Sequence, residues 1–481
     1  MITFNFGKKD NWVAAPVMTW PQVVGRYVAT LGALHLPSWL IGWLTHSPWT
    51  EDRPLVNLDL VLAAAVSCLN PVVGAIVLIG AWSADILRMA TQNYYFLSVI
   101  DFVNSARFID LINLRPFISA SSVAAVLGFL FFIWLVIRLT RSMRCLALPL
   151  LLTVVLLELL DALNGSSHLL GLNRDEKLLP FNVAGSPAWN ILNALKRNPM
   201  ALERPLPFEG VKSNKVLGAW HVSNPKNSEM LVLVESMGLP RSQALADWML
   251  ARLNTPAVAA RWTVGMDKEP FLGATTSGEL RTLCGLKGHP SRLDAETAKT
   301  CLPWKMHADG QHATGFHGFS LRMFDRRDWW PMVGLTAWRQ IASDGQPLPM
   351  NCNETYPGIC DLAVLHEAAK LADSTGQFVY ALTLDTHLPL GGRTKPLPAD
   401  LVSLCTANQV HDTACDMVGR LGDVLGTLAT QMETMSTTPL VVVVGDHAPP
   451  FGDRENRNAF DMRVVPIMVA EPKLAAQGAT R

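Results

Sequence analysis

Apolar stretches that approach the length of a bilayer crossing are confined to the first third of this chain. That asymmetry divides the molecule before any motif is considered. A crossing helix needs about 20 apolar residues, and candidate spans fall at 27–45, 55–69, 71–90, 117–139 and 145–163. Of the 481 residues 49% are hydrophobic and only 17% charged, below the roughly one quarter usual for soluble domains. Net charge is zero, so the chain lacks the basic excess of a nucleic-acid binder, and no nucleic-acid partner is expected.

The second and third stretches are separated only by Asn70-Pro71 and read as one kinked helix or a tight hairpin. Arg138, Arg141 and Arg144 lie between the last two, and Lys8, Lys9 and Arg26 precede or open the first. The positive-inside rule places both clusters in the cytoplasm. Only an odd number of crossings satisfies both, so five spans are expected, with residues 164–481 outside. The start shows no cleavable signal pattern. Residues 91–116 read as an amphipathic stretch at the outer interface.

Two of the eight cysteines, Cys68 and Cys145, sit in spans; Cys284, Cys301, Cys352, Cys360, Cys405 and Cys415 all follow them. An even set in an oxidising compartment is expected to form disulfides, with sequence neighbours paired.

Beyond about residue 180 strand-like and helical stretches alternate, the pattern of an α/β domain. Strands are expected at 230–235, 378–385, 440–445 and 463–469, with a helix over 416–433 that suits a parallel crossover. The division expected is therefore a membrane domain 1–163, a connector 164–229 and a catalytic domain 230–481. Leu440–Val444 is a short β-branched run opening into Gly445-Asp446-His447, and 231–234 (LVLV) opens into Glu235-Ser236. Open α/β sheets bind ligands at the carboxyl ends of such strands. Glu, Asp and His delivered to one sheet edge suggest a divalent metal.

Three further segments carry reactive side chains: 273–285 with Thr275, Thr276 and Ser277, 316–330 with His317, Arg326 and Arg327, and 382–390 with His387. Taken singly each has a structural reading. Thr276-x-x-Glu279 is a capping box, Asp446-His447 a loop hydrogen bond, and Arg326-Arg327 a solvated face or a stem packed on the adjacent tryptophans. Taken together they describe a metal held by Glu235, Asp446 and His447 that activates a hydroxyl ligand. A threonine at a helix N-terminus would also offer backbone N–H groups to a phosphate. His387 could then serve the leaving oxygen, and Arg326 could clamp the phosphoryl group. No paired CxxC zinc motif is present, so a purely structural metal site is not expected.

In this order the segments resemble the membrane-anchored phosphoethanolamine and phosphoglycerol transferases of the alkaline phosphatase superfamily, lipoteichoic acid synthases among them. Glu235, Thr275, His387 and Asp446-His447 match the family's strand-ending Glu, Thr nucleophile, substrate His and late Asp-His pair. Thr275, Gly278, Cys284 and Gly285 fit the T-x-x-G-x-x-x-x-x-C-G pattern of the glucan phosphoglycerol transferases, which prefers Thr275 over Thr276 or Ser277 as nucleophile. His317 with Arg326 is similar to the head-group-binding FH…(F/W)xR element, and Cys352 to Cys360 to a disulfide loop of the phosphoethanolamine transferases. Second-metal histidines of some relatives have no counterpart after Asp446, so the resemblance implies one metal. The mainly oxygen ligand set with one nitrogen points to zinc, with manganese the alternative. The sulfatase motif is approached by Cys301-Leu-Pro-Trp-Lys305 but ends in Lys, and that reading is rejected.

The resemblance implies an α/β fold, a transmembrane bundle of about five spans plus an outer α/β/α alkaline-phosphatase-like domain, in a bacterial inner membrane with the catalytic domain periplasmic. It implies transfer of a phospholipid head group through a phospho-threonine to a periplasmic glycan or lipid acceptor. The alternatives are a phosphodiesterase or phosphatase using the same site, and a non-catalytic subunit of an envelope polysaccharide assembly complex.

Overall fold

The computed structural model describes residues 19–44, 54–93, 105–115, 118, 120–141, 143–164, 166–167, 172–173, 183–197, 204–338, 348–393 and 395–473. Contacts divide the chain into two compact units, Met1–Gln92 with Ser119–Ala194 and Asn93–Ile118 with Leu195–Arg481.

The first unit is helical: α1 (Trp20–Leu44), α2 (Leu58–Leu69), α3 (Pro71–Asn93), α4 (Ala120–Thr140), α5 (Arg144–Leu163) and α6 (Pro187–Arg197). Among the described residues three helices are long and apolar enough to cross a membrane: Pro71–Met89, Val123–Thr140 and Arg144–Leu163. These three correspond to the third, fourth and fifth expected spans. α1 has 25 residues but includes Arg26, His35 and Pro37 and falls short in apolarity, and α2 has only 12. Asn70 ends α2 in an extended conformation, and the chain turns so sharply that a Cβ on Gly74 would collide with the Ser67 backbone. The two stretches are therefore separate helices joined by a sharp turn at Asn70. Outward side chains such as Leu127, Leu130 and Leu156 stay exposed, as on helices facing lipid. Of the stretch expected as a connector, Ala184–Gly185 pairs with Val56–Asn57 in this unit, while Ser213–Ser223 belongs to the second.

The second unit is built on a seven-stranded sheet. Its strands are β1 (Glu229–Val234), β2 (Trp262–Pro270), β3 (His312–His317), β4 (Thr336–Ala337), β5 (Gln377–Leu382), β6 (Leu440–Gly445) and β7 (Val464–Pro472), in the order β4-β3-β5-β1-β6-β7-β2. The first five in that order run parallel; β7 and β2 are antiparallel additions. Every residue of β1 and β6 is buried, which is why both read as unbroken apolar runs rather than alternating ones. Helices α7 (Ser213–Ser223), α8 (Gln243–Leu253), α9 (Thr275–Cys284), α10 (Asp361–Ala372) and α11 (Asp412–Thr434) supply the rest of the core, for example Leu217, Met249, Leu280, Val364 and Leu421. The carboxyl ends of β3, β5, β1 and β6 lie side by side, and the loops leaving them carry the chemistry.

Three disulfides join sequence neighbours as expected: Cys284–Cys301, Cys352–Cys360 and Cys405–Cys415. The first uses the cysteine of the near-sulfatase motif, so that residue is committed to a crosslink.

Residues 105–115 lie in sequence between α3 and α4, yet they pack on the second unit. Phe108 is buried with Phe319, Met323 and Leu384. The remainder of the stretch expected to be amphipathic, at 94–104 and 116, lies outside the described residues.

Candidate active site

β1 ends where its last apolar residue gives way to Glu235, and Ser236 follows in the left-handed region at φ 55°. For a non-glycine residue that costs about 1–2 kcal/mol, and it is offset by two bonds. The Ser236 N–H donates to Asp446 Oδ1 at 2.8 Å, and its hydroxyl to Glu235 Oε1 at 2.9 Å. Thr383 and Thr386, on the loop after β5, hold the Glu235 backbone by its N–H (2.9 Å) and carbonyl (2.5 Å). The loop after β6 is fixed in turn by the His447 N–H, which donates to Asp446 Oδ1 at 2.6 Å. Glu235, Asp446 and His447 are all buried, with one ligand atom from each lying within 4.8 Å of the others.

Thr275 opens α9, whose N-cap is Ala274 with no side-chain cap. The Thr275 hydroxyl donates to Glu235 Oε2 at 3.0 Å and lies 3.4 Å from His447 Nε2. His447 Nδ1–H donates to the Ala448 carbonyl at 2.9 Å, so in the neutral ring the lone pair is on Nε2, facing Thr275. Burial lowers the His447 pKa, which favours that neutral ligand form. Burial raises Asp446 well above the carboxylate range, and Glu235 beside it adds to the effect. Glu235 itself is lowered: burial opposes its charge, but His387, His447 and the Ser236 hydrogen bond outweigh it.

Asp446 Oδ2 is buried with no hydrogen-bond partner, 3.3 Å from His447 Nε2. A buried acceptor left unmade is costly, and one cation among two carboxylates, a hydroxyl and an imidazole Nε2 would satisfy it. The residues present thus fit a divalent metal.

The other expected residues surround this cluster. A cavity of about 590 Å³ is lined by Glu235, Thr275 and His447 together with His317, Arg326 and His387. His387 Nδ1–H donates to the Leu388 carbonyl at 2.5 Å, and its ring meets Tyr356 edge-on at 4.3 Å. His317 is buried at the end of β3, its Nδ1–H on the Leu382 carbonyl at 3.1 Å. Burial and the Arg326 charge drive its pKa down to about 3, so it stays neutral.

Two readings need correction. Glu279 does not close a capping box: it is fully buried and receives Arg326 Nε (2.8 Å), Trp330 Nε1 (3.1 Å) and the Tyr380 hydroxyl (3.2 Å). Arg326 is not on a solvated face: it is buried, its Nε held by Glu279 and its Nη1 3.4 Å from the Met323 carbonyl, and it lines the cavity. Among the three candidate hydroxyls only Thr275 bonds the cluster; Ser277 turns to the Gly288 carbonyl at 3.2 Å.

The sequence also hid contributors. Tyr356 and His289 line the cavity, as do Ser105 and Ile112 from the segment before α4. Behind the site, Arg281 on α9 donates to the carbonyl oxygens of Gly445 and Asp446 and pairs with Glu269 at 2.9 Å. None of these has a local pattern that marks it.

No protein-family model matches the chain, and no curated protein matches it. Among solved structures it is similar to lipoteichoic acid synthase LtaP from Listeria monocytogenes at 15% identity and TM-score 0.35, covering 53% of this chain and 67% of that one. Another is a protein of the alkaline phosphatase superfamily from Vibrio parahaemolyticus, at 14% identity and TM-score 0.35, covering 51% and 60%. The C-terminal periplasmic domain of EcEptC from Escherichia coli matches at 12% identity and TM-score 0.31, covering 52% and 73%. At these identities the likeness assigns neither substrate nor acceptor.

Proposed function

We propose that this chain is a membrane-anchored, metal-dependent transferase that moves a phospholipid head group, phosphoglycerol or phosphoethanolamine, to a hydroxyl of a periplasmic glycan or lipid. The observation that carries this reading is the Thr275 hydroxyl at the start of α9, bonded to Glu235 and 3.4 Å from His447 Nε2 in the lining of a cavity. Glu235, Thr275, Asp446 and His447 would hold one divalent ion, zinc by preference and manganese as the alternative. Such an ion lowers the pKa of a bound hydroxyl and supplies positive charge to the phosphoryl oxygens.

Thr275 Oγ1 attacks the donor phosphorus, forming a P–O bond to threonine while the P–O bond to the glyceride breaks and diacylglycerol leaves. Glu235 takes the Thr275 proton along the 3.0 Å hydrogen bond already present. The α9 N-terminus offers backbone N–H groups to the phosphoryl oxygens. His387, held by Leu388 and Tyr356, gives a proton from Nε2 to the departing oxygen and later takes one from the acceptor hydroxyl, whose attack breaks the P–O bond to Thr275 while Glu235 returns the Thr275 proton. The membrane helices keep the enzyme beside a donor that does not leave the bilayer, with the second unit on the outer face of the inner membrane.

The test is Thr275→Ala in the purified full chain. Head-group transfer from vesicle phospholipid should fall to background while bound metal stays near the wild-type amount. Undiminished product would overturn the assignment, and free phosphoglycerol or phosphoethanolamine as the main wild-type product would favour a hydrolase.

A further inference from the structure

Residues 105–115 connect two helices that are apolar and long enough to cross a membrane, yet they help line the cavity that Thr275 also lines. Their attachment is specific. Arg107 Nη2 donates to both carboxylate oxygens of Asp325, at 3.0 and 3.2 Å, and Asp110 pairs with Arg322 at 3.1 Å. Asn113 binds the backbone of the opposite rim, its N–H to the Thr355 carbonyl at 2.8 Å and its Nδ2 to the Glu354 carbonyl at 3.0 Å. Phe108 plugs between these clamps and meets Phe324 edge-on at 5.7 Å.

What the segment clamps is the loop that delivers Arg326. Phe324 and Asp325 both sit in the left-handed region, at φ 57° and 54°. Two consecutive non-glycine residues in that conformation persist only where surrounding contacts hold them. Arg107 and Phe108 supply contacts to those same two residues.

The wall thus completed is apolar. Ile112 joins Phe319, Met323, Leu388 and Phe451 in the lining of the cavity that Glu235, Thr275 and His447 also line. Along the same segment Ile109, Leu114 and Ile118 stay exposed. Scattered surface hydrophobics are ordinary, but these lie on a stretch tied at both ends to apolar helices.

We propose that residues 105–115 form a strap that completes the donor site, with Ile112 facing the apolar glyceride of the lipid and the clamp on Asp325 positioning Arg326. The inference rests on the transferase reading and adds to it where the enzyme distinguishes a lipid donor from a soluble phosphodiester. Ile112 is a specificity residue; Arg107 and Asp110 are positioning residues.

The experiment uses the full-length protein with two donors that share a head group. One is dioleoyl phosphatidylglycerol in vesicles, the other its deacylated, water-soluble glycerophosphodiester. For Ile112→Asp, kcat/KM on the vesicle lipid should fall about tenfold, mainly through KM, with the soluble diester changed less than about twofold. Arg107→Asp and Asp325→Arg should each lower turnover of both donors, and the double reversal should restore it. Parallel loss on both donors for Ile112→Asp, or no loss on either, overturns the proposal. So does a double reversal no better than its parents. Absence of any phosphoryl-threonine in the wild type with either donor would instead overturn the transferase reading, and the strap proposal with it.

Discussion

Arg281 makes a demanding test of how the site is held together. Its side chain is 1% exposed and pairs with a Glu269 that is fully buried, and its two Nη groups serve the carbonyls of Gly445 and Asp446. Arg281→Met removes the cation and leaves Glu269 buried. Breaking a buried pair from one side typically costs about 3–5 kcal/mol. Here the lower end applies, because Glu269 keeps the N–H groups of Lys212 and Ser213 and the Ser213 hydroxyl, at 2.8–3.1 Å. A loss near 3 kcal/mol should lower the melting temperature of the second unit by roughly 6–12 °C. Adding Glu269→Gln removes the stranded charge and should recover about half of that loss. Because the two carbonyls belong to the loop that presents Asp446 and His447, metal affinity should fall together with stability in the single variant. Thermal unfolding of the detergent-solubilised chain, followed by near-UV circular dichroism with a parallel metal titration, reads both. A loss under about 1 kcal/mol would refute the reasoning, since it would mean the guanidinium is not needed where it is buried.

Two further outcomes follow from the same geometry. A Cβ on Gly278 would stand 3.0 Å from Asp446 Cβ and 3.1 Å from its Cα, so Gly278→Ala should push α9 from the metal loop and weaken metal binding about tenfold at a cost of about 1–3 kcal/mol; an unchanged dissociation constant would contradict this. His317 has a native pKa near 3 against an ordinary 6.5, so the unfolded chain takes up a proton below pH 6.5 that the native chain refuses. Its share of stability therefore falls as pH drops from 6.5 toward 3, by about 1.4 kcal/mol per pH unit. His317→Gln should flatten the acid limb of the stability profile by close to one proton; an unaltered slope would contradict the assignment.

The legible parts of this molecule are those in which local pattern and tertiary role coincide. Glu235 and Asp446-His447 stood out because fully buried parallel strands read as apolar runs and the first polar residue after each lies at the sheet edge. Thr275 was legible as a helix start. Glu279 misled because its spacing from Thr276 satisfies a capping rule while its partners, Arg326, Trp330 and Tyr380, come from two distant segments. The second expected span is short: α2 is 12 residues and packs among the other helices of its unit, with Leu60, Val61 and Ala64 buried. The strand β3 and the strap carry mixed sequences whose roles depend on what they lie against. Arg107 meets Asp325 across 218 residues of chain, and no window on the sequence contains both.

The measurement closest to the central claim is the mass of the tryptic fragment 269–281, which holds Thr275, Thr276 and Ser277, after the intact protein has met donor phospholipid without acceptor. The account predicts an added phosphoglycerol or phosphoethanolamine that fragmentation places on Thr275, and that disappears when an acceptor is supplied. No adduct under turnover, or an adduct on Thr276 or Ser277, would contradict it.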